Sequence, residues 1–372
     1  MTRIVISGTG LYTPPESISN EELVECFNTW ATRFNTEHAA AIAEGTVEPK
    51  PLSNAEFIVK ASGIRSRHVL DKKGILDPEI MRPQLPTRSN DEPSQMCEMA
   101  LAAAREALAE AGREPGDVDA VLCAASNMQR SYPAVAVEIQ HYLGCGGYAY
   151  DMNVACASAT FGIQAAVDAL SAGHARCVLM VNPEICSGHL NFRDRDSHFI
   201  FGDACTAVVL ERAEDAQTGG FEVIGTRLKT HFSSNIRNNA GFLNRAEVSP
   251  RSQDDRLFIQ EGRRVFKDVV PMVVELISSH LRDHDLAPTE VRRFWLHQAN
   301  LNMNQLISKR LLGREPSEQE APVVLDEYAN TSSAGSVIAL HKHKSGLATD
   351  DITVLCAFGA GYSAGSVILR QR

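Results

Sequence analysis

Val118-Asp-Ala-Val-Leu-Cys-Ala-Ala-Ser-Asn127 and Val291-Arg-Arg-Phe-Trp-Leu-His-Gln-Ala-Asn300 are one kind of segment met twice: a short apolar run that ends in small or polar residues. Each reads as a buried strand, because an apolar run this short bounded by polar residues fits a covered sheet better than a helix. Val291 lies 173 residues after Val118. Two more pairs keep nearly that spacing. Asp151 and Asp326, each shortly before a small-residue segment, are 175 apart, and Cys177-Val-Leu-Met-Val and Thr353-Val-Leu-Cys-Ala begin 176 apart. Three pairs in one order at one offset point to a duplicated half. Further strand patterns at Arg3–Ser7, Ala207–Leu210, Phe221–Ile224 and Ser366–Leu369 alternate with helical ones. The clearest helix starts at Ser94 as N-cap, carries Cys97, Leu101, Ala104 and Leu108 on one face and stops at Gly112. Strands alternating with helices give an α/β chain of βαβ units with a mostly parallel sheet.

The joint between the halves falls at the polar, glycine-rich Asp215-Ala-Gln-Thr-Gly-Gly. This expects an N-terminal half over 1–215 and a C-terminal half over 216–372. Residues 24–93 fit the repeat poorly, carry six prolines and show no sustained period beyond short helical pieces. They read as an insertion or cap over one face. At 372 residues and 44% apolar content, the chain is long enough for a large core. A formal net charge of −10 makes a phosphate backbone an unfavourable partner, so nucleic acid is not expected. Nine cysteines with no CxxC pair argue against a zinc ribbon and a disulfide framework. No apolar run approaches the length a bilayer span needs, and the N-terminus reads as a strand rather than a signal peptide, so a cytoplasmic location is expected.

Three positions can do chemistry. Cys156, in Asp151-Met-Asn-Val-Ala-Cys-Ala-Ser-Ala-Thr-Phe-Gly, sits where an extended run meets an apolar helix, a setting expected to favour thiolate and lower the thiol pKa. His297 ends an apolar strand, where open α/β sheets place their ligands. Asn330, in Asn330-Thr-Ser-Ser-Ala-Gly, takes the repeat position nearest Cys156. Singly, each has a plain alternative: a packing thiol, a core histidine, a helix cap. The C-terminal Phe358-Gly-Ala-Gly-Tyr lacks the order of a dinucleotide site, and its backbone amides suit an oxyanion better than a pyrophosphate.

Taken together these segments resemble the β-ketoacyl-acyl carrier protein synthase III family of the thiolase superfamily. Gly8-Thr-Gly10, Gly63-Ile-Arg-Ser-Arg-His68, Phe201-Gly-Asp203, His297-Gln-Ala-Asn300 and Asn330-Thr-Ser carry the likeness over nearly the whole chain, and the Cys, His, Asn order separates it from elongating synthases and thiolases. The resemblance implies a layered α-β-α-β-α core and a ping-pong decarboxylating condensation. Cys156 would take the acyl group from an acyl-CoA, with the backbone N–H groups of Cys156 and Ala360 as oxyanion donors. His297 and Asn330 would then stabilise the enolate formed from malonyl-acyl carrier protein. It implies CoA and carrier-protein thioesters as substrates, no metal, no other cofactor and a homodimer, with Tyr132, in the segment Arg130 to Ala136, bordering the partner's pocket. Arg195, Phe57 and Asn300 would contact substrate. Chain length and Arg193-Asp-Arg-Asp196 look most like the subgroup that takes primers near eight carbons.

Departures fall at the cofactor end. Phe57 stands where the family usually has a tryptophan, and Ala61 and Asn302 where it usually has arginines; Gly359-Ala-Gly361 replaces three glycines. A papain-like hydrolase would share the Cys, His, Asn order but not its signature or the repeat. A non-catalytic partner subunit would commonly lack one of the three. The main alternative is a related acyltransferase that passes the acyl group to another acyl chain or a small molecule.

Overall fold

The computed structural model describes residues 2–249 and 252–372. Among these, nine strands form one sheet. Those before residue 215 are β1 (Ile4–Tyr12), β2 (Ala120–Ala124), β3 (Tyr148–Met152), β4 (Cys177–Ile185) and β5 (Asp203–Arg212); those after it are β6 (Phe221–Ser233), β7 (Val291–Leu296), β8 (Ile352–Gly359) and β9 (Gly361–Gln371). Across the sheet the first group runs β3-β2-β4-β5-β1 and the second β7-β8-β9-β6. With β3 set aside the orders coincide, β2 matching β7, β4 matching β8, β5 matching β9 and β1 matching β6. The pairing sense coincides too: β2 is parallel to β4 as β7 is to β8, and the other matched neighbours are antiparallel. The groups join where Val5 and Ile6 of β1 face Glu222 and Phe221 of β6.

The main helices are α1 (Asn20–Glu37), α2 (Ala55–Ser62), α3 (Gln95–Ala111), α4 (Val135–Leu143), α5 (Ser158–Ser171), α6 (Gly262–Arg282), α7 (Leu301–Leu312) and α8 (Ala334–His343). Both α5 and α8 touch strands of both groups, whereas α3 lies on β1, β4 and β5 and α6 on β6, β8 and β9. The result is the layer order α-β-α-β-α, with α5 and α8 in the middle. Ile163, Ala166, Val337 and Trp295 are buried there. This explains the apolar strands: β2 is buried at all five positions because helices cover both its faces. The Ser94 hydroxyl accepts the Cys97 N–H at 3.2 Å, and Gly112 closes α3 at φ 67°, a left-handed conformation that glycine adopts without strain.

Two expectations are corrected. Residues 24–93 are more regular than their prolines suggested, since α1 runs for 18 residues from Ser19, whose hydroxyl and Glu22 form a capping box. Leu23, Cys26, Phe27 and Ala31 bury one face of it. The reason is positional: all six prolines lie at Pro49 or beyond, so nothing interrupts the chain over 20–37. Asp151 and Asp326 also differ, because Asp151 lies on β3 whereas Asp326 lies in a one-turn helix, Leu325–Tyr328. In place of a third strand the second group has one isolated parallel bridge, Phe201 to Asn330. The 24–93 region packs its own small core, including Ile58, Ile64 and Met81, onto Phe192, Phe199 and Phe201. It therefore roofs the Phe201 segment to which Asn330 is bridged.

Candidate active site

Cys156 sits on a one-turn 3-10 helix, Ala155–Ala157, that runs directly into α5. Ala155 takes φ 48°, strained for a residue with a Cβ. The Asn153 side chain holds this bend, accepting the Ala155 N–H at 3.0 Å and donating to the Ser126 carbonyl at 2.9 Å. Gly359, at the end of β8, passes so close that a Cβ there would stand 2.6 Å from the Cys156 Cβ and 2.9 Å from its Sγ. Only glycine fits without moving the nucleophile. The backbone N–H groups of Ala360 and of Cys156 itself act on the thiol, and the Ser332 hydroxyl donates to Sγ at 3.3 Å. These three donors favour the thiolate, yet burial outweighs them and, with the nearby charge of Glu184, pushes the thiol up to about 11. The expected lowering by the helix start is therefore not found. A single turn of unpaired amides does not compensate the loss of water around sulfur.

His297 follows β7, its N–H bonded to the Cys356 carbonyl at 2.8 Å and its ring edge-on to Phe358 at 5.3 Å. Burial holds the imidazole down at about 4, so it is neutral at pH 7; a backbone contact with Ser332 opposes this. Its Nδ1 has no hydrogen-bond partner among the described residues. Asn330 is held at both ends of its backbone, N–H to the Ile200 carbonyl at 2.9 Å and C=O from the Gly202 N–H at 3.2 Å. Its Oδ1 accepts the Ser332 N–H at 2.8 Å, so the group it can offer a substrate is the Nδ2 amide. Ala329 and Ser332, on either side, take φ 54° and 49°.

Cys156, His297 and Asn330 all line one cavity of about 600 Å³ whose other walls include Phe199, Phe201, Val269, Met303 and Phe358. Phe57 lies on the same cavity, with the Arg195 guanidinium 4.3 Å from its ring centroid. Asn300 is on the wall, but both ends of its amide are committed, one capping α7 through the Met303 N–H and the other donating to the Ala61 carbonyl at 2.8 Å. Its polar contribution goes to the wall rather than to a ligand. Tyr132 is not on this cavity; it is 85% exposed, beside Phe242. Among the described residues no group of three or more His, Cys, Asp or Glu is placed to hold a metal, and no helix is long and apolar enough to cross a membrane.

Sequence reasoning missed Ser332 and Glu184. Ser332 hides in a run that reads as cap material for α8. Glu184, 1% exposed near the end of β4, accepts five hydrogen bonds: from the Ser126 N–H at 2.9 Å and hydroxyl at 2.5 Å, from the Ser333 N–H at 3.2 Å, from the Ser333 hydroxyl, and from the Cys186 thiol at 3.9 Å. The available signal was a carboxylate closing the apolar run Val178-Leu-Met-Val.

Comparison with known proteins agrees with this architecture. Residues 150–231 match the family model described as 3-Oxoacyl-[acyl-carrier-protein (ACP)] synthase III, and residues 281–371 match its C-terminal counterpart. The chain is 64% identical over 349 residues to the beta-ketodecanoyl-[acyl-carrier-protein] synthase of Pseudomonas aeruginosa, covering 94% of this chain and all of that one. The crystal structure of 3-oxoacyl-(acyl carrier protein) synthase III from the same organism superimposes with a TM-score of 0.76 at 26% identity, over 99% of this chain and 98% of that one. That of Aquifex aeolicus gives a TM-score of 0.76 at 25% identity, over 99% of each.

Proposed function

Since the chain belongs to the 3-oxoacyl-acyl carrier protein synthase III family, we propose that it joins an acyl-CoA primer to malonyl-acyl carrier protein with loss of carbon dioxide, in fatty acid synthesis, and that Cys156, His297 and Asn330 carry the two half-reactions. The observation that carries the assignment of roles is the pair of backbone N–H groups, from Cys156 and Ala360, that converge on one thiol at the wall of an apolar cavity. Two such donors suit the oxygen of a tetrahedral intermediate. Cys156 sulfur attacks the thioester carbonyl, the C–S bond to CoA breaks, and the thiol proton leaves with the CoA sulfur. Malonyl-acyl carrier protein then loses carbon dioxide, and its enolate oxygen accepts hydrogen bonds from neutral His297 and the Asn330 amide. The enolate carbon attacks the acyl-Cys156 carbonyl, the acyl C–S bond to Cys156 breaks to release the 3-oxoacyl-acyl carrier protein, and the freed thiolate regains a proton from solvent. Carbon dioxide release drives the sequence, so no redox group or metal is called for.

The test separates the halves. The variants His297→Ala and Asn330→Ala should still give one acyl adduct on Cys156 by intact mass, yet lose malonyl decarboxylation by about 100 to 1,000-fold each. Equal loss of acylation would overturn the assignment.

The primer is medium-chain. A ten-carbon 3-oxo product, as named for the 64% identical relative, leaves eight carbons once the two from malonyl are removed. Two extra buried methylenes, at about 0.8 kcal/mol each, favour octanoyl- over hexanoyl-CoA by roughly tenfold. Competition among acetyl-, butyryl-, octanoyl- and palmitoyl-CoA for Cys156 reads this directly. A product lacking the malonyl carbons would instead favour transfer to another acceptor. The arrangement further supports duplicated halves at 1–215 and 216–372, and a homodimer built on the edge strand β3, where Tyr148 and Tyr150 stack in the open. Arg195 and Phe57 are proposed to hold the CoA end, in the cytoplasm where both thioesters are made.

A further inference from the structure

The mechanism above makes no use of Glu184, a buried carboxylate beside the reacting sulfur. We propose that Glu184 is a positioning residue: by gripping Ser333 and Ser126 at once it holds Ser332 in hydrogen-bonding register with both the Cys156 sulfur and the Asn330 amide. The proposal rests on the assignment of Cys156 and Asn330 given above.

The geometry forms a closed chain of contacts. Ser333 binds Glu184 through both its N–H and its hydroxyl, so the start of α8 is fixed to the end of β4. The preceding residue, Ser332, donates its hydroxyl to Cys156 Sγ at 3.3 Å and its N–H to Asn330 Oδ1 at 2.8 Å. On the other side Ser126, held by the same carboxylate, accepts on its carbonyl from Asn153, which in turn caps the Ala155 N–H beside Cys156. One carboxylate thus ties the nucleophile turn to the Asn330 turn. Something must do so, because Ala155, Ala329 and Ser332 all hold φ between 48° and 54°, a conformation that persists for such residues only when the surroundings impose it.

The carboxylate also acts through its charge. It opposes thiolate formation at Cys156, and its other titratable neighbours are the thiols of Cys123 on β2, Cys186 after β4 and Cys205 on β5. Grip and charge therefore push the Cys156 thiolate in opposite directions, which makes them separable by substitution. Glu184→Gln keeps an acceptor oxygen for Ser333 and removes the charge. Ser333→Ala keeps the charge and removes the hydroxyl grip.

The experiment measures two rates on the full chain: Cys156 alkylation by iodoacetamide at pH 8, read by intact mass, and acyl transfer from octanoyl-CoA. Below the thiol pKa, alkylation follows the thiolate fraction, so Glu184→Gln should alkylate faster than the unsubstituted chain and Ser333→Ala slower, each by about tenfold. Acyl transfer should fall about tenfold in Ser333→Ala and about 100-fold in Glu184→Ala, and be substantially restored in Glu184→Gln. A scaffold role alone would lower the melting temperature in all three without the opposite alkylation shifts, and that result overturns the proposal. Should Glu184→Ala fail to fold, the Gln and Ser333 variants still decide it. Acylation of a cysteine other than Cys156 overturns both this inference and the site assignment, whereas normal Cys156 acylation with unchanged variants overturns this inference alone.

Discussion

The Cys156 thiol is enclosed enough that three hydrogen-bond donors do not offset its lost hydration, and it stands at about 11. Its reactivity should consequently climb roughly tenfold per pH unit from pH 7 to 10, with no plateau near the usual thiol value of about 8.5. Iodoacetamide rates across that range, read as mass added at Cys156, check this, and a plateau below pH 9 would contradict it. Cys156→Ala should abolish the acyl adduct altogether. Cys97 and Cys177 are buried and pushed up to about 12, Cys123, Cys186 and Cys205 are fully enclosed, and Cys26 and half-buried Cys145, at about 11 like Cys156, lie off the cavity that Cys156 lines. The proposal of Cys156 as nucleophile comes from its small-residue surroundings and from the family pattern. The protonation state of Cys156 was not legible there, because desolvation depends on Phe358, Gly359 and Phe201, which arrive from elsewhere in the chain.

At the scale of elements, what could be read was what local chemistry determines. Helix α3 was legible to the residue because both its signals, a serine cap and a left-handed glycine, act within one turn. Helix α1 was not legible although Leu23, Phe27 and Ala31 form a regular stripe, because the helix begins at Asn20, before the irregular stretch 24–93, and the prolines from Pro49 onward dominate that stretch. The β8–β9 connection shows the opposite case. Gly359 looks from sequence like turn material, but its requirement comes from Cys156, two hundred residues away, whose Cβ would lie 2.6 Å from any added Cβ. Gly359→Ala should therefore leave the sheet intact and displace the nucleophile from the two oxyanion amides. Acyl-Cys156 formation should drop about 100-fold or more, with the circular dichroism spectrum and melting temperature little changed. Retained acylation would mean that the hairpin, rather than the cysteine, gives way.

The repeated strand order was legible because the offsets of 173 and 176 residues reflect matched strands, whereas the Asp151–Asp326 offset of 175 does not. The proposal of a homodimer comes only through the family likeness. Edge strand β3 with Tyr148 and Tyr150, and Tyr132 at 85% exposure, are apolar surfaces that a monomer leaves wet. Sedimentation at micromolar concentration should give a dimer, and Tyr132→Asp should weaken it while sparing the fold of each chain; a monomer throughout would remove the claim.

Acid stability is a second property of the whole molecule, since it sums over buried groups that no local pattern reveals. His198, His280 and His297 are at most 2% exposed and lowered by burial to about 4. Between that value and 6.5 the unfolded chain holds three protons that the folded chain does not. Glu184 and Asp203, both enclosed, are raised to about 7 and about 6, so in the same window the folded chain holds two protons that the unfolded chain lacks. The difference is one proton in favour of the unfolded state between pH 6 and 4.5, and stability must fall as pH falls there, by about 1.4 kcal/mol per unit. His189, also lowered to about 4, adds to the same side and raises the difference to two protons, or about 2.7 kcal/mol per unit. Urea midpoints taken at pH 6, 5 and 4.5 should decrease in that order. In Glu184→Gln, whose side chain takes up no proton, one compensating group is gone, so the decline should steepen by about half again. A midpoint that rises on acidification in the unsubstituted chain would show that the carboxylates, not the histidines, dominate the buried charge balance.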